Sequence, residues 1–194
     1  MKEMKVVLFN GSARKKGNTY HCLNVVMEEL KSEGIECEYV WIGNERLQGC
    51  TACGQCSETK DGTCVLTGDK MNEYIAKMIE ADGIIIGSPT YFSDVSTNTK
   101  ALIERAGYTC RASGDLLRRK VGAAVVAVRR AGANHVFSSI NFFFLIAEMI
   151  VVGSSYWNLG IGRLPGEVKD DEEGIRTFKT LGKNMAYVLK KLNQ

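Results

Sequence analysis

The chain has 194 residues, 45% of them hydrophobic and 24% charged, which is ample for one domain with a large core. Its 25 basic and 22 acidic residues leave a net charge of +3. The basic residues fall in short scattered groups (Lys15-Lys16, Arg118-Arg119-Lys120, Arg129-Arg130) that read as solvated element ends, not as the concentrated basic face of a nucleic-acid binder. No stretch approaches the roughly 20 apolar residues of a membrane span, and the first apolar run stops at Gly11, too early for a signal sequence. We therefore expect a cytoplasmic protein that binds neither nucleic acid nor membrane. In a reducing compartment its seven cysteines point to metal or redox chemistry instead of disulfides.

The elements alternate. Lys5 to Asn10 is a short apolar run, expected as a strand. Asn18 to Ser32 has helical spacing through Leu23, Val26, Met27 and Leu30, and Gly34 supplies its stop. Glu36 to Ile42 alternates like a strand. A polar, Cys- and Gly-rich segment over residues 44–68 follows, too long for a mere connection. Asp69 is expected to cap the next helix, DKMNEYIAKMIEA. Gly83 to Ser88 is a buried strand, Ser96 to Ala106 a helix and Val121 to Val128 another buried strand. The apolar window Phe142 to Val152 carries Glu148 and reads as a helix, begun near His135, running into a last strand at Val151 to Trp157. Ile175 to Leu192 is an amphipathic C-terminal helix.

Strands that are apolar throughout are covered on both faces, so the sheet is parallel with helices on each side. Five strands and five helices fit the doubly wound flavodoxin-like order 2-1-3-4-5, a three-layer α/β fold over residues 1–194 with a Cys-rich insertion.

Two loops meet at the switch point of that order, where ligands bind. After the first strand come Gly11, Ser12, Arg14, Asn18 and Thr19. Gly11 permits a tight turn, Ser12, Asn18 and Thr19 carry short polar donors, and the following helix presents free N–H groups to an anion. Arg14 adds a charged fork. The patterns GxGxxG and GxxxxGK[ST] are both absent. After the third strand come Ser88, Pro89, Thr90, Tyr91 and Phe92, which offer hydrogen bonds and flat apolar surface to an aromatic ring.

The pair GSARKKGNT and GSPTYF resembles the NAD(P)H-dependent FMN reductase family of flavodoxin-like proteins, along essentially the whole chain. The resemblance implies that Ser12, Arg14, Asn18 and Thr19 hold the FMN phosphate, and that Pro89, Thr90, Tyr91 and Phe92 line the isoalloxazine and ribityl chain. It also implies that the loop Arg130-Ala131-Gly132-Ala133 reaches the flavin's other side. Ser93-Asp94 stands where relatives commonly have glycine.

Cys50, Cys53, Cys56 and Cys64 form C-x2-C-x2-C-x7-C. Four thiolates at this density suit a [4Fe–4S] cluster or a tetrahedral zinc, and zinc sites more often use two separated pairs. The motif resembles that of the iron-sulfur flavoproteins, a branch of the same family, which implies the four cysteines as cluster ligands. Cys22 and Cys37 read as core residues, Cys110 as part of a polar connection, and His135 as a cap or surface residue.

The resulting expectation is an oxidoreductase coupling FMN to the cluster, with the flavin carrying the chemistry and no side chain nominated as acid or base. NAD(P)H or another small-molecule or protein electron donor and acceptor would be its partners, and a homodimer or homotetramer its assembly. An FMN-only reductase of quinones or flavins, a flavodoxin-like carrier and a zinc-stabilised binding module are the competing readings.

Overall fold

The computed structural model describes residues 3–193. Its parallel sheet is built from β1 (Lys5–Asn10), β2 (Glu36–Trp41), β3 (Gly83–Pro89), β4 (Val121–Val128), β5 (Ile150–Val151) and β6 (Leu159–Ile161). The order is β2-β1-β3-β4-β5, with β6 also pairing with β4. The helices are α1 (Asn18–Ser32), α2 (Gln55–Thr59), α3 (Met71–Glu80), α4 (Thr97–Ala112), α5 (Ala133–Ile146) and α6 (Glu172–Leu192), with a 3₁₀ turn at Glu167–Asp170.

The period-two alternation of strand side chains divides the core. Val6, Leu8, Ile85, Ala123 and Val125 pack with α1 and α6 residues such as Leu23, Val26, Phe178 and Leu181. Val7, Phe9, Ile84, Ile86, Ala124 and Val126 pack with Met78, Leu102, Val136 and Phe144 from α3, α4 and α5. β3 and β4 are buried along their entire lengths, as the unbroken apolar runs require. Gly34, at φ 78°, follows the end of α1.

Several boundaries differ from the sequence reading. α3 begins at Met71 with Lys70 as its cap. Asp69 instead stands one residue earlier: one oxygen accepts from the Met71 amide at 3.1 Å and the other faces Arg105. α4 runs on to Ala112, so Cys110 is buried on a helix and not in a connection; burial pushes its thiol up to about 12. α5 stops at Ile146, because the chain turns at Glu148 with φ 55°.

The last strand departs most. β5 pairs Ile150 and Val151 with Val121 and Gly122, and pairing resumes at Leu159 opposite Val126. Residues 152–158 bow out between them, at the turn-forming run Gly153-Ser154-Ser155. Asn158 repairs the gap: its side chain donates to the Ala124 carbonyl at 2.9 Å and its carbonyl accepts from Val126 at 3.0 Å. No described helix is long and apolar enough to cross a membrane.

Candidate functional site

The C-terminal ends of β1, β3, β4 and β6 deliver their loops to one edge of the sheet, as a doubly wound order demands. A cavity of about 130 Å³ lies there, lined by Ser12, Arg14, Asn18, Thr19, Pro89, Thr90 and Tyr91 together with Arg129, Gly162 and Arg163. Both loops singled out in the sequence thus face one space.

The first loop is fixed from several directions. The Asn10 side chain accepts from the Ser12 amide at 2.9 Å and donates to the Tyr39 hydroxyl at 2.8 Å. The Trp41 indole donates to the Ser12 carbonyl at 2.7 Å. Gly11 is tied to β3 through Gly87 O and to Ser96 Oγ, which donates to its carbonyl at 2.7 Å. α1 starts from Gly17 with no side-chain cap and no acidic residue in its first turn. Its first N–H groups, which have no partner within the helix, therefore lie at the cavity beside Arg14.

Asn18 has another task. Its side chain donates to Gly162 O at 2.9 Å and accepts from Gly166 N at 2.7 Å, tying α1 to the loop after β6. Ser88 is engaged as well, accepting from the Ser96 amide at 3.0 Å and donating to Pro89 O at 2.8 Å. Thr90 differs from both: its hydroxyl is buried at the cavity and has no hydrogen-bond partner among the described residues. An orphaned buried hydroxyl beside uncapped helix N–H groups is what a polar ligand would satisfy.

Tyr91 stands between this cavity and a second one of about 380 Å³, lined by Gly11, Gly43, Glu45, Asn98 and neighbours. Phe92 is away from both cavities: it is fully exposed at the tip of a tight hairpin closed by Tyr91 and Asp94. Phe92 and Ser93 take φ of 50° and 61° there, the sign that mirror-image hairpin turns require and that glycine or asparagine usually supplies. Ala131 and Gly132 line neither cavity. Gly132, at φ 85°, packs against Ser93, where a Cβ would lie 2.4 Å from its hydroxyl. The loop after β4 therefore braces the hairpin. His135 is exposed on α5, 3.8 Å from Asp94.

Cys50, Cys53, Cys56 and Cys64 line one hollow of about 170 Å³ with Leu66, Arg105, Tyr108 and Thr109. Cys53 is exposed and the other three are half-buried, none of them in a disulfide. Among the described residues no three of these ligand types close around a single ion. Two of the sulfurs accept N–H groups at 3.4 Å, Cys50 from the Ala52 amide and Cys64 from Arg105 Nε. The loop is pinned at its ends: Cys50 N reaches Glu104 at 3.4 Å, and Cys64 exchanges two bonds with the Asn72 side chain, at 2.8 and 2.9 Å. Burial opposes ionisation of Asp69, but hydrogen bonds from Arg105, Gln48 and Met71 outweigh it and hold its carboxyl below the ordinary range. Cys22 is fully buried and Cys37 half-buried, away from this hollow.

Arg105 and Arg163 escaped the sequence reading, and Arg129, expected only as part of a solvated element end, also lines the cavity. The loop carrying Arg163 comes to this edge only because the last strand resumes at Leu159, past the residues expected to end it. Arg105 falls on the buried stripe of α4, three residues after Leu102 and four before Thr109, so its helical spacing was the signal and its charge concealed it.

Residues 4–163 match the family model described as NADPH-dependent FMN reductase. An iron-sulfur flavoprotein of Methanocaldococcus jannaschii is 40% identical over 194 residues, covering 96% of this chain and 98% of the relative. One from Methanosarcina thermophila is 35% identical over 188 residues, covering 96% and 95%. Among solved structures, the flavodoxin-like WrbA-like protein of Agrobacterium tumefaciens superposes with a TM-score of 0.67 at 15% identity, covering 98% of this chain and 99% of that one. That last likeness establishes the fold. The family match and the two full-length relatives establish more: the chain belongs to the NADPH-dependent FMN reductase family, in its iron-sulfur flavoprotein branch.

Proposed function

We propose that this oxidoreductase holds FMN with its phosphate in the cavity at the start of α1, and a [4Fe–4S] cluster in the cysteine hollow. The observation that carries the flavin reading is the meeting of Ser12, Arg14 and Thr19 with Pro89, Thr90 and Tyr91 around the orphaned Thr90 hydroxyl. Ser12, Thr19 and the first N–H groups of α1 would hold the phosphate, with Arg14, Arg129 and Arg163 supplying charge. Thr90 would bond the ribityl chain or ring edge, and Pro89 and Tyr91 would pack on the flat ring. Asn18 serves the phosphate site through its backbone and holds the loop after β6 with its side chain.

FMN would supply both hydride and single-electron chemistry, and the cluster single electrons. The chain's residues bind, orient and shield these groups, and none is needed as acid or base. Four thiols around a hollow, two of them already accepting N–H groups, suit a cluster core better than one closely gripped ion. The family's description supports a nicotinamide nucleotide as donor, and a one-electron carrier would suit the cluster as acceptor. The exposed apolar side chains Tyr108, Phe142, Leu145 and Ile146 along α4 and α5 favour self-association as a homodimer or homotetramer.

The test is anaerobic purification followed by a visible spectrum and assays of flavin, iron, sulfide and zinc. Stoichiometric FMN with four irons and four sulfides per chain is the expected result. No flavin after incubation with FMN would refute the main reading. Flavin with no iron after reconstitution would leave an FMN-only reductase. Cys53→Ala should retain FMN and lose iron.

A further inference from the structure

Arg105 is the largest fully buried side chain among the described residues, and it lies against the cysteine hollow. Its guanidinium joins both arms of the loop. Nη1 donates to Gln48 O at 3.2 Å and to the Asp69 carboxylate, and Nη2 donates to Leu66 O at 2.6 Å. Gln48 lies two residues before the first cysteine of the motif, and Leu66 two after the last. Nε, the remaining inner donor, points at Cys64 Sγ at 3.4 Å. A planar fork with five N–H groups can serve all these acceptors at once, whereas an ammonium presents three from a single point.

The charges around this cation are few. Asp69 is its one ion-pair partner among the described residues, with a side chain 8% exposed. Glu104 lies on the same helix, one residue earlier, and reaches the Cys50 amide. The pair Arg105–Asp69 is close to neutral as a unit, but it is oriented: the N–H faces sulfur and the carboxylate lies on the far side of the guanidinium from Cys64, bonded to Gln48 N and Met71 N.

We propose that Arg105 is a positioning residue for the cysteine loop, and that with Asp69 it sets the reduction potential of a cluster held there. This inference rests on the cluster reading above. One-electron reduction adds negative charge to a thiolate-bound core that is already anionic. A cationic N–H donor on one ligand sulfur stabilises the reduced form more than the oxidised form and so raises the potential. Asp69 moderates that effect by pairing with the same guanidinium. The two residues therefore act with opposite sign.

The experiment is a dithionite titration of the reconstituted holoprotein, monitored by electron paramagnetic resonance, on the wild type and on Arg105→Gln, Arg105→Lys and Asp69→Asn. Bound FMN is measured in each as the check on folding. Arg105→Gln should lower the cluster's reduction equilibrium about tenfold, or about 59 mV for one electron. Asp69→Asn should raise it. Arg105→Lys should restore part of the loss through its charge. Shifts of the same sign in Arg105→Gln and Asp69→Asn, or a change under about twofold in both, would overturn the proposal. If Arg105→Gln takes up no cluster, Asp69→Asn alone decides by its sign. A wild type without iron after reconstitution would sink the cluster reading itself, and it would be seen before any variant is compared. Hydrogen exchange on the iron-free protein tests the positioning role separately. Arg105→Gln should expose the amides of residues 48–66 while leaving β3 and β4 protected, and unchanged exchange there would refute that role.

Discussion

Gly43 lies two residues beyond the end of β2 and presses on the peptide that joins Ser12 to Ala13. A Cβ at this position would lie 1.8 Å from Ser12 O, 2.2 Å from Ser12 C and 2.8 Å from Ala13 N. These are backbone atoms, so no side chain can rotate away. The 1.8 Å contact must open to at least 3.4 Å, a displacement of about 1.6 Å in the loop read as the phosphate cradle. The same carbonyl accepts the 2.7 Å bond from the Trp41 indole, which such a shift would break. Overpacking of this kind typically costs about 1–3 kcal/mol of stability. Losing one charge-assisted bond to the phosphate costs about 1.5–3 kcal/mol of binding, or roughly 10- to 100-fold in Kd. Gly43→Ala should therefore weaken FMN by about that factor and riboflavin, which lacks the phosphate, far less. Parallel fluorescence titrations of the apoprotein with the two flavins measure this, with far-UV circular dichroism to confirm the fold. An FMN affinity within about threefold of the wild type, or equal losses for FMN and riboflavin, would refute the assignment of this loop to the phosphate.

Other outcomes follow from single side chains. Thr90→Val removes a buried hydroxyl that has no protein partner, so the apoprotein should melt no lower than the wild type while FMN binds about fivefold more weakly, as loss of roughly one hydrogen bond predicts. Arg163→Ala should cost FMN about tenfold and leave riboflavin nearly unaffected, as measured by the same titrations. Glu38 bridges Lys5 and Lys77, and hydrogen bonds from these two lysines hold its carboxyl below the ordinary carboxylate value. The stability it contributes is complete above that value and fades as pH falls through the lower native one. Glu38→Gln should thus lower the urea midpoint more at pH 7 than at pH 3, and equal losses at both would contradict the linkage.

The fold was legible because its strongest signals are local and periodic. β1, β3 and β4 are apolar runs that only a doubly covered sheet accommodates, and α1 carries both its spacing and its Gly34 stop. The last strand was legible only in part. Val151 and Val152 announced it, but the resumption at Leu159–Ile161 depends on the Asn158 side chain standing in for missing ladder bonds, which is a tertiary fact. The same distinction runs through the site. That Ser12, Arg14, Thr19, Pro89, Thr90 and Tyr91 share one cavity was readable because loops after neighbouring strands at a switch point open onto the same space. Asn18 and Ser88 have the right chemistry in the right loops, yet their side chains hold Gly162, Gly166 and Ser96, contacts made with distant segments. Phe92 belongs to a flat aromatic pair in sequence, but a hairpin with two positive φ angles turns it outward.

α4 explains why an insertion after β2 can work beside a site built on β1 and β3. Ser96 caps the helix and donates to Gly11 O, so the helix N-terminus is fastened to the first turn of the loop after β1. Asn98 then takes the carbonyls of Ile42 and Glu45 at 2.6 and 2.9 Å, fixing the path by which the chain leaves β2. Two turns further on, Glu104 and Arg105 hold Cys50 and Cys64. At 1.5 Å per residue, the seven steps from Asn98 to Arg105 put about 10 Å between the two anchoring points. The helix is buried through Leu102, Ala106 and Cys110, so that spacing is set by the core and not by the loop. A cysteine-rich segment with little regular structure of its own is thereby held at a fixed distance from the switch point, and the arrangement proposed above, a flavin at one anchor and a cluster at the other, would need neither loop to move.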